Sequence, residues 1–408
     1  MKLAYVMATF PSPSETFALR EIRAMTQRGW DVTVFAARRP AGTASGMPWP
    51  RTIYRPRLLS GASVSSLIYL IAHYPLALWR LALLMAAVLK ECPRDFMVLL
   101  ANIHTVSGFV CQMDRSGIDH VHGYFLSWPA CIAMAIAKTT KRTMSLSTHA
   151  RDIFVEAGAV RAKVELSTFV ASCTEQGLTQ LREWVPPGQH HKLHLVRHGI
   201  EPSLVSHGVG GESHLEQHGS SRGERILFVG RLVPKKGLEY LIEAFAAVHA
   251  KRPSCVLTII GDGPGGGEIN RRVDLLGLGD CVELCGWRDS ATVADYMRRS
   301  LLLAVPSIID PEGDRDGVPN VVLEAFACGA VVVASRLDGI AEAVKNGETG
   351  VLVEPGDAGQ LADAVLRLFE DVETRGRLAS QARDFVARHY DPQRNIEHLT
   401  ALFDQAVA

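Results

Sequence analysis

Apolar and polar positions follow two alternating patterns along this chain. Short, continuous apolar runs such as LAYVMA, CVLTII and LLLAVP are followed by longer stretches in which apolar residues recur every third or fourth position. Runs of the first kind predict buried parallel strands, and stretches of the second kind predict helices that cover them. The repeated strand and helix order therefore predicts an α/β fold with parallel sheets.

This alternation starts afresh in the second half of the chain. At 408 residues the chain is too long for a single core and suits two domains. Residues 206–224 are rich in Gly, Ser and His, which is typical of a linker or mobile loop. We expect two Rossmann-like, doubly wound domains facing one cleft, with a final helix that crosses back to the first domain. The predicted divisions are 1–200, the linker 201–224, 225–385, and the crossover helix 386–408.

One apolar segment, residues 65–90, is long enough to suggest a membrane span. His73, Pro75 and Arg80 interrupt it, and a central arginine costs about 2.5–3.5 kcal/mol to insert. We therefore predict a helix that lies in the membrane interface with Trp79 at headgroup level. An ordinary core or subunit-interface helix and a true span are the alternatives.

The charge is unevenly distributed between the two halves. Lys and Arg number 22 against 12 Asp and Glu in residues 1–200, and 21 against 31 in residues 201–408. A basic half beside an acidic half predicts that the first faces anionic lipid or anionic acceptor groups. Much of the early excess comes from Arg38, Arg39, Arg51, Arg55 and Arg57.

The cellular compartment is indicated by the cysteines and the first residues. The eight cysteines lie mostly inside apolar runs without paired spacing, which is typical of reduced core thiols. The opening MKLAYVMATFPSPSETF has too short an apolar core before its prolines for a signal peptide and predicts a buried strand. We expect a cytoplasmic protein, peripherally associated with the inner face of the cell membrane, with no nucleic-acid partner.

The residues that carry chemistry concentrate in 305–336, where an acidic loop precedes a helix between two buried strands. Pro319 suits the first turn of this helix, and Gly329 can end it. Asp316 would then lie in the loop and Glu324 just inside the helix, where carboxylates can accept hydrogen bonds from hydroxyls.

The same helix start is predicted to bind an anion. The N–H groups of Asn320, Val321 and Val322 are expected to be free there and to point into the same space as the positive end of the helix. A sugar nucleotide carries both the anion and the hydroxyls.

Two further motifs face the same predicted sheet edge. In VGRLVPKKG, residues 229–237, Arg231 and Lys236 follow a strand end and could neutralise a diphosphate. The turn GDGPGG, residues 261–266, fits the dinucleotide pattern through Gly261, Gly263 and Gly266, so an NAD-linked enzyme is a rival interpretation. Two acids make NAD binding unfavourable. Asp262 places a negative charge inside the phosphate turn, and Glu283 lies in mid-strand, whereas an acid that binds ribose should lie at the strand end.

Together these motifs resemble the retaining family 4 glycosyltransferases, which have the GT-B fold. The family has two glutamates eight positions apart before an Ala-Met-Ala-Cys-Gly sequence, and this chain reads DGVPNVVLEAFACG. The resemblance implies that Glu324 holds the donor ribose. It implies that Asp316, in place of the first glutamate, contacts the transferred sugar.

The resemblance also assigns roles to the other motifs. Arg231 and Lys236 match the family's Gly-Arg-x(4–5)-Lys-Gly element, which binds the donor diphosphate. The glycine-rich turn with Gly261 and Gly263 lines the family's nucleotide site. In STHARDIF, His149 matches a histidine that approaches the donor sugar, in a His-x-x-Asp element. His120 and His122 are equally compatible with a structural and a functional role.

The opening FPSPSETF resembles the colanic acid and amylovoran branch of exopolysaccharide biosynthesis. Ser14 can cap the helix that follows. We therefore expect a retaining hexosyltransferase that moves a sugar from a nucleoside diphosphate to a polyprenyl-linked oligosaccharide. The nucleotide sugar is the donor substrate, and no cofactor is expected. The alternative from another class is a glycosyltransferase-like binding subunit without turnover.

Two sequence patterns in the acidic loop resemble metal-binding motifs. Glu312, Asp314 and Asp316, followed by Gly317, imitate the start of an EF-hand, but Leu323 stands where that loop needs its bidentate glutamate. The two aspartates also imitate the Asp-x-Asp metal motif of the other large glycosyltransferase fold. Because the chain supplies fixed cations nearby, we expect no metal.

Overall fold

The computed structural model describes residues 2–12, 15–40, 50–200 and 224–407. It divides into two compact units. Unit 1 comprises Met1–Arg197 with Gln393–Ala408, and unit 2 comprises His198–Pro392. The predicted linker 201–224, except for Glu224, and the predicted cap Ser14 lie outside the described residues.

Unit 1 is built on a parallel sheet. Within the described residues this sheet has seven strands in the order β3-β2-β1-β4-β5-β6-β7. The order reverses between β1 and β4, and the carboxyl ends of strands at such a switch point commonly form ligand sites. The strands are β1 Lys2–Thr9, β2 Asp31–Arg38, β3 Thr52–Tyr54, β4 His120–Tyr124, β5 Thr143–Thr148, β6 Val170–Ser172 and β7 Leu193–Leu195.

Helices cover this sheet, and α6 shows why they form where they do. Its sequence WPACIAMAIAKTT is apolar on nearly every side, and the helix is accordingly buried in the core of unit 1. The helices are α1 Thr16–Gln27, α2 Gly61–His73, α3 Ala77–Glu91, α4 Pro93–Ala101, α5 Ile103–Ser116, α6 Trp128–Thr140, α7 Ala150–Phe154, α8 Val160–Leu166 and α9 Glu175–Trp184.

The prediction of one helix over residues 65–90 is wrong. The chain forms α2 and α3, which are bent by 100° at a short break. The break contains Pro75, and Tyr74 before it takes φ −130° and ψ 70°, because a residue that precedes proline is disfavoured in the helical conformation. Among the described residues, no single helix is long and apolar enough to cross a membrane. The bent pairs α2 with α3 and α4 with α5 pass that test by length and composition only.

Unit 2 repeats the doubly wound plan. Its described residues form a six-stranded parallel sheet in the order β10-β9-β8-β11-β12-β13, with the reversal between β8 and β11. The strands are β8 Arg225–Val229, β9 Val256–Ile260, β10 Val282–Gly286, β11 Leu302–Val305, β12 Val331–Ser335 and β13 Val351–Val353. The helices are α10 Leu238–Lys251, α11 Gly266–Leu275, α12 Ser290–Arg299, α13 Asn320–Cys328, α14 Asp338–Ala341, α15 Ala358–Glu370 and α16 Val372–His389.

The last helix, α17 Pro392–Val407, returns to unit 1 as the sequence predicts. Leu399, Leu402 and Phe403 pack in the same apolar cluster as Tyr5 of β1. The return begins at Pro392 and not at residue 386, because α16 continues to His389 and the chain breaks helical structure before the proline. Both predicted doubly wound sheets are confirmed.

Candidate functional site

A cluster of mostly buried charges follows β8 and β11 in unit 2. Lys236 Nζ lies 2.7 Å from Asp316 Oδ2, and Ser307 Oγ donates to the same oxygen at 2.6 Å. Lys235 Nζ donates to Asp314 Oδ1 at 3.0 Å and lies 3.5 Å from Asp316 Oδ1. The structure thus brings two predicted site residues, Lys236 and Asp316, into direct contact.

The cluster holds Asp316 as a carboxylate. Burial by itself would raise the pKa of Asp316. The charges of Lys236 and Lys235, with hydrogen bonds from Lys236 and Ser307, outweigh burial and lower this pKa below its usual value. Both Asp316 oxygens already face donors or cations, so this carboxylate is suited to orienting Lys236 and unsuited to acting as a free nucleophile.

Sequence reasoning missed Lys235, Asp314 and Ser307 as members of this cluster. Lys235 is 8% exposed and also donates to the carbonyl of Arg315 at 3.3 Å, which ties it to the acidic loop. The available signal was the pair of adjacent lysines after one strand and two aspartates after another strand. Parallel strands bring such ends to one sheet edge.

A tight backbone turn presents the two lysines. Pro234–Lys236 form a 3-10 turn that ends at Gly237, whose φ is +59°. A Cβ atom at Gly237 would lie 2.0 Å from the Pro306 carbonyl oxygen, so only glycine fits there. The Ile308 N–H also donates to the Lys235 carbonyl at 2.8 Å. The lysine turn and the segment after β11 are therefore held together by their backbones.

Arg231, the other predicted cation, is in a different environment. Its side chain is exposed, and within the described residues it has no hydrogen bond or ion pair. It follows β8, as predicted, and is available to an anionic ligand in unit 2.

The glycines of the GDGPGG turn have a structural explanation. A Cβ at Gly261 would lie 1.9 Å from the Gly230 carbonyl oxygen, and one at Gly263 would lie 2.5 Å from the Leu232 carbonyl oxygen. The turn therefore packs directly against the loop that carries Arg231. Close packing of two backbones accounts for these glycines whether or not they also line a nucleotide.

The acids near this turn do not suit an NAD site. Asp262 Oδ2 accepts a hydrogen bond from the Trp287 N–H at 2.8 Å. Glu283 pairs with Arg225 and accepts from Thr258 Oγ1 at 2.9 Å. Because both carboxylates have structural partners, neither is placed to bind a ribose, and the NAD interpretation loses support.

Helix α13, which follows the acidic loop, starts at Asn320 with Pro319 as its N-cap residue. It ends at Gly329, whose φ is +74°. Asn320 and Val321 lie in the first turn, and the half-buried Glu324 lies in the second. The prediction of a free Val322 N–H is wrong, because this group donates to the Pro319 carbonyl at 3.0 Å. Pro319 precedes the helix, so its carbonyl is free to accept in a closing turn.

The lysine contacts also bear on the two metal motifs in the acidic loop. Asp314 and Asp316 face the ammonium groups of Lys235 and Lys236. A cation bound by both aspartates would have to displace these fixed charges. The residues present therefore fit an ion-paired cluster better than a calcium or Asp-x-Asp site.

In unit 1, His149 follows β5 and begins α7. Its backbone N–H donates to Asp152 Oδ1 at 2.6 Å, and the other Asp152 oxygen accepts from the Leu126 N–H. Burial raises the pKa of Asp152 to about 7, although hydrogen bonds from Leu126 and His149 oppose the rise. The predicted His-x-x-Asp element thus joins the segments after β4 and β5.

His120 and His122 have structural roles. Both are fully buried in β4, where their ring nitrogens contact the hydroxyls of Thr143, Ser145 and Ser147 at 2.7–3.0 Å. Burial lowers the pKa of His120 to about 3, and that of His122 also lies well below its usual value. Neutral rings with both nitrogens engaged are typical of a core network.

Glu21 of α1 was not singled out from the sequence. Tyr5 Oη donates to its Oε1 at 2.7 Å, and Tyr124 Oη donates to its Oε2 at 3.1 Å. The carboxylate lies between two fully buried tyrosines, although part of the residue reaches the surface. Its removal from water raises the pKa of Glu21 to about 7, and the two tyrosine hydrogen bonds reduce the rise.

This raised pKa predicts a pH-dependent stability. Folded Glu21 keeps a proton that the unfolded chain releases near pH 4.5, so the free energy of unfolding should fall as pH rises from about 4.5 to 7. Glu21→Gln should remove this loss. Between pH 4.5 and 8, its free energy of unfolding should rise relative to that of wild type by on the order of 1–3 kcal/mol. Urea unfolding at several pH values measures this free energy of unfolding, and Glu183→Gln, at an exposed position, is the control. An unchanged pH slope in Glu21→Gln would contradict the assignment.

Part of the chain is similar to a known protein family. Residues 223–371 match the family described as Glycosyl transferases group 1. Alpha-D-kanosaminyltransferase of Streptomyces kanamyceticus is 31% identical over 175 residues, which cover 43% of this chain and 44% of that protein. Amylovoran biosynthesis glycosyltransferase AmsK of Erwinia amylovora is 33% identical over 179 residues, covering 44% and 42%. The chain thus matches less than half the length of these two relatives.

Solved structures extend the likeness to the whole chain. HepE of Anabaena, in complex with UDP and glucose, has a TM-score of 0.70 at 18% identity and covers 99% of this chain and 100% of its own. Sucrose-phosphate synthase from Thermosynechococcus elongatus has a TM-score of 0.71 at 20% identity, covering 99% and 98%. At these identities the likeness concerns the fold, and it confirms the predicted GT-B class. Over residues 223–371, this chain is similar to the group 1 glycosyl transferase family.

Proposed function

We propose that this protein is a retaining glycosyltransferase that moves a sugar from a nucleoside diphosphate to a lipid-linked saccharide during exopolysaccharide assembly. The observation that carries the proposal is the Lys236–Asp316 pair beside exposed Arg231, at the switch point of the unit 2 sheet. The match of the same segment to the group 1 glycosyl transferases and the likeness to AmsK support it.

The chemistry follows from where charge develops. When the bond between the sugar C1 and the diphosphate oxygen breaks, its electron pair passes to the diphosphate. Arg231, Lys236 and the N–H groups of Asn320 and Val321 are suited to stabilise that charge. The acceptor oxygen then bonds to C1 on the face that the diphosphate leaves, and its proton passes to a leaving phosphate oxygen. Glu324 holds the donor ribose in this scheme.

The donor is tested by binding. Titration of the full-length protein with UDP-, GDP- and ADP-glucose should give micromolar affinity for at least one, and Arg231→Ala should weaken it at least tenfold. Lys251→Ala, an exposed lysine at the end of α10, serves as the matched control. No binding to any nucleotide sugar would contradict the proposal. Tight binding without release of nucleoside diphosphate would favour a binding subunit.

Membrane docking is part of the proposal and rests on unit 1. Arg51, Arg55 and Arg57 are exposed, and Arg57 directly precedes the exposed Leu58 and Leu59 in the sequence. Neighbouring helices α2 to α4 also expose large apolar side chains, which marks an interaction surface. An anionic bilayer suits both the arginines and the apolar side chains. The exposed apolar residues on these helices are Val64, Ile68, Ile71, Leu78, Trp79, Leu83, Leu89, Met97 and Leu100.

Vesicle binding tests this docking surface. Binding should require anionic lipid and weaken as salt rises, and changing Arg51, Arg55 and Arg57 to serine should reduce affinity on the order of a hundredfold, at about 1 kcal/mol per cation. Changing Lys251, Arg271 and Arg299 of unit 2 to serine is the charge-matched control. Binding that resists both high salt and carbonate would indicate a span, and no binding to any vesicle would remove the membrane from the proposal.

A further inference from the structure

Three half-buried rings meet at the switch point of the unit 1 sheet. Phe17, Phe125 and His149 lie in the segments that follow β1, β4 and β5, which are neighbouring strands. The ring centroid of His149 lies 4.5 Å from that of Phe125 and 5.0 Å from that of Phe17. Each of the three residues is partly exposed, although the His149 ring nitrogens are buried, so the group forms an aromatic surface at the carboxyl ends of parallel strands, where ligands commonly bind.

The backbone of Phe125 is unfavourable for its side chain. Its φ is +94°, which is rare for a residue with a Cβ and a clear outlier for a bulky one. Its N–H donates to the Ser147 carbonyl at 3.0 Å, an interaction that glycine would make equally well. The side chain packs against the apolar cluster that contains Tyr124 and leaves part of the residue exposed, so the unfavourable backbone holds a ring at the surface.

The surrounding residues fix all three rings. Asp152 accepts from the N–H groups of Leu126 and His149, which joins the segment after β4 to the segment after β5. Tyr124, next to Phe125, donates to Glu21, one helical turn beyond Phe17 on α1. The aromatic surface is thus held by hydrogen bonds on each side, as a preorganised binding surface requires.

We propose that Phe17, Phe125 and His149 form a subsite for the apolar face of a pyranose ring. This inference rests on the proposed function and adds a residue that determines sugar binding. The C–H groups on one face of a pyranose present a flat apolar surface, and contact with rings removes that surface from water while the hydroxyls remain solvated. The ring belongs either to the donor sugar or to the saccharide acceptor.

Variants of Phe125 separate sugar binding from folding. Phe125→Leu keeps apolar volume but removes the flat face, and it should weaken binding of the sugar at least tenfold. Phe125→Tyr keeps the face and should stay within threefold of wild type. Phe125→Gly should lose sugar binding, yet have a Tm at or above that of Phe125→Ala because glycine accepts the positive φ.

Three probes are used: the UDP-, GDP- or ADP-glucose that binds the wild-type protein, the corresponding nucleoside diphosphate alone, and cellobiose. Binding of cellobiose is detected by saturation-transfer NMR. Weaker binding of the nucleotide sugar with unchanged diphosphate binding assigns the subsite to the donor. Loss of the cellobiose signal alone assigns it to the acceptor. If Phe125→Leu leaves all three within twofold, or weakens diphosphate and nucleotide sugar equally, the inference is wrong. Failure of wild type to bind any nucleotide sugar instead overturns the proposed function.

Discussion

Lys236→Ala is expected to lower turnover by about 10²–10³-fold, the usual effect of losing one charge contact to a transition state. Lys236 Nζ has hydrogen-bonding capacity beyond its contact with Asp316, and a diphosphate at the same sheet edge can use it. Unit 2 should stay folded, since Lys235 still faces Asp316 at 3.5 Å. Release of nucleoside diphosphate at saturating donor measures the effect.

The controls for this variant separate position from charge. Lys251→Ala changes an exposed lysine of the same unit and should turn over like wild type. Lys236→Arg keeps the charge but changes its geometry, and it should recover part of the rate. Wild-type turnover in both Lys236→Ala and Arg231→Ala would mean that the diphosphate binds elsewhere.

Asp316→Ala is expected to lower the free energy of unfolding of unit 2 by about 3–5 kcal/mol, because it leaves buried lysine charge uncompensated. Asp314 still faces Lys235 at 3.0 Å, whereas Lys236 loses the carboxylate that lies 2.7 Å from it. The lowered pKa of Asp316 means that its contribution is present above the pKa of the unfolded chain and is lost as pH falls through the folded pKa. Urea unfolding at neutral and acid pH measures both effects, with Asp274→Ala at an exposed position of α11 as control.

Asp316→Glu distinguishes an adapted aspartate from a weakened one. The loop around Asp316 is tightly packed, since a Cβ at Gly339 would lie 2.9 Å from the Asp316 carbonyl oxygen. A longer side chain should therefore disturb the contacts with Lys236 and Ser307 and reduce activity. A several-fold rise in turnover, as for a restored family glutamate, would contradict the adapted geometry.

The sequence predicts most of the fold because buried parallel strands have continuous apolar runs. It does not reveal β3 or β13, which have only three residues each and too little pattern to separate them from loops. Pro75 was visible as an interruption, but the sequence did not show that it turns the chain by 100°. The end of α16 was also missed, because apolar residues recur at helical spacing on both sides of Pro392, so the crossover helix was predicted to begin at residue 386.

The sequence predicts which strand ends carry the residues of the candidate site. It does not predict which of these residues contact one another. Lys236 and Asp316 were placed at one edge, but their direct pairing across 80 residues is a tertiary contact that spacing cannot show. Glu21 was missed because its raised pKa depends on Tyr5 and Tyr124, which come from two different strands. Phe125 carried no sequence signal for its positive φ.

The most direct test of the central claim is release of nucleoside diphosphate from the donor that binds best, by wild type and by Glu324→Ala. Glu324 lies in the second turn of α13, so its removal should spare the fold while it loosens the donor ribose. The proposed function predicts measurable release by wild type and at least a hundredfold less by the variant, with equal Tm values. Equal release by both proteins, or none by wild type with any acceptor, would contradict it.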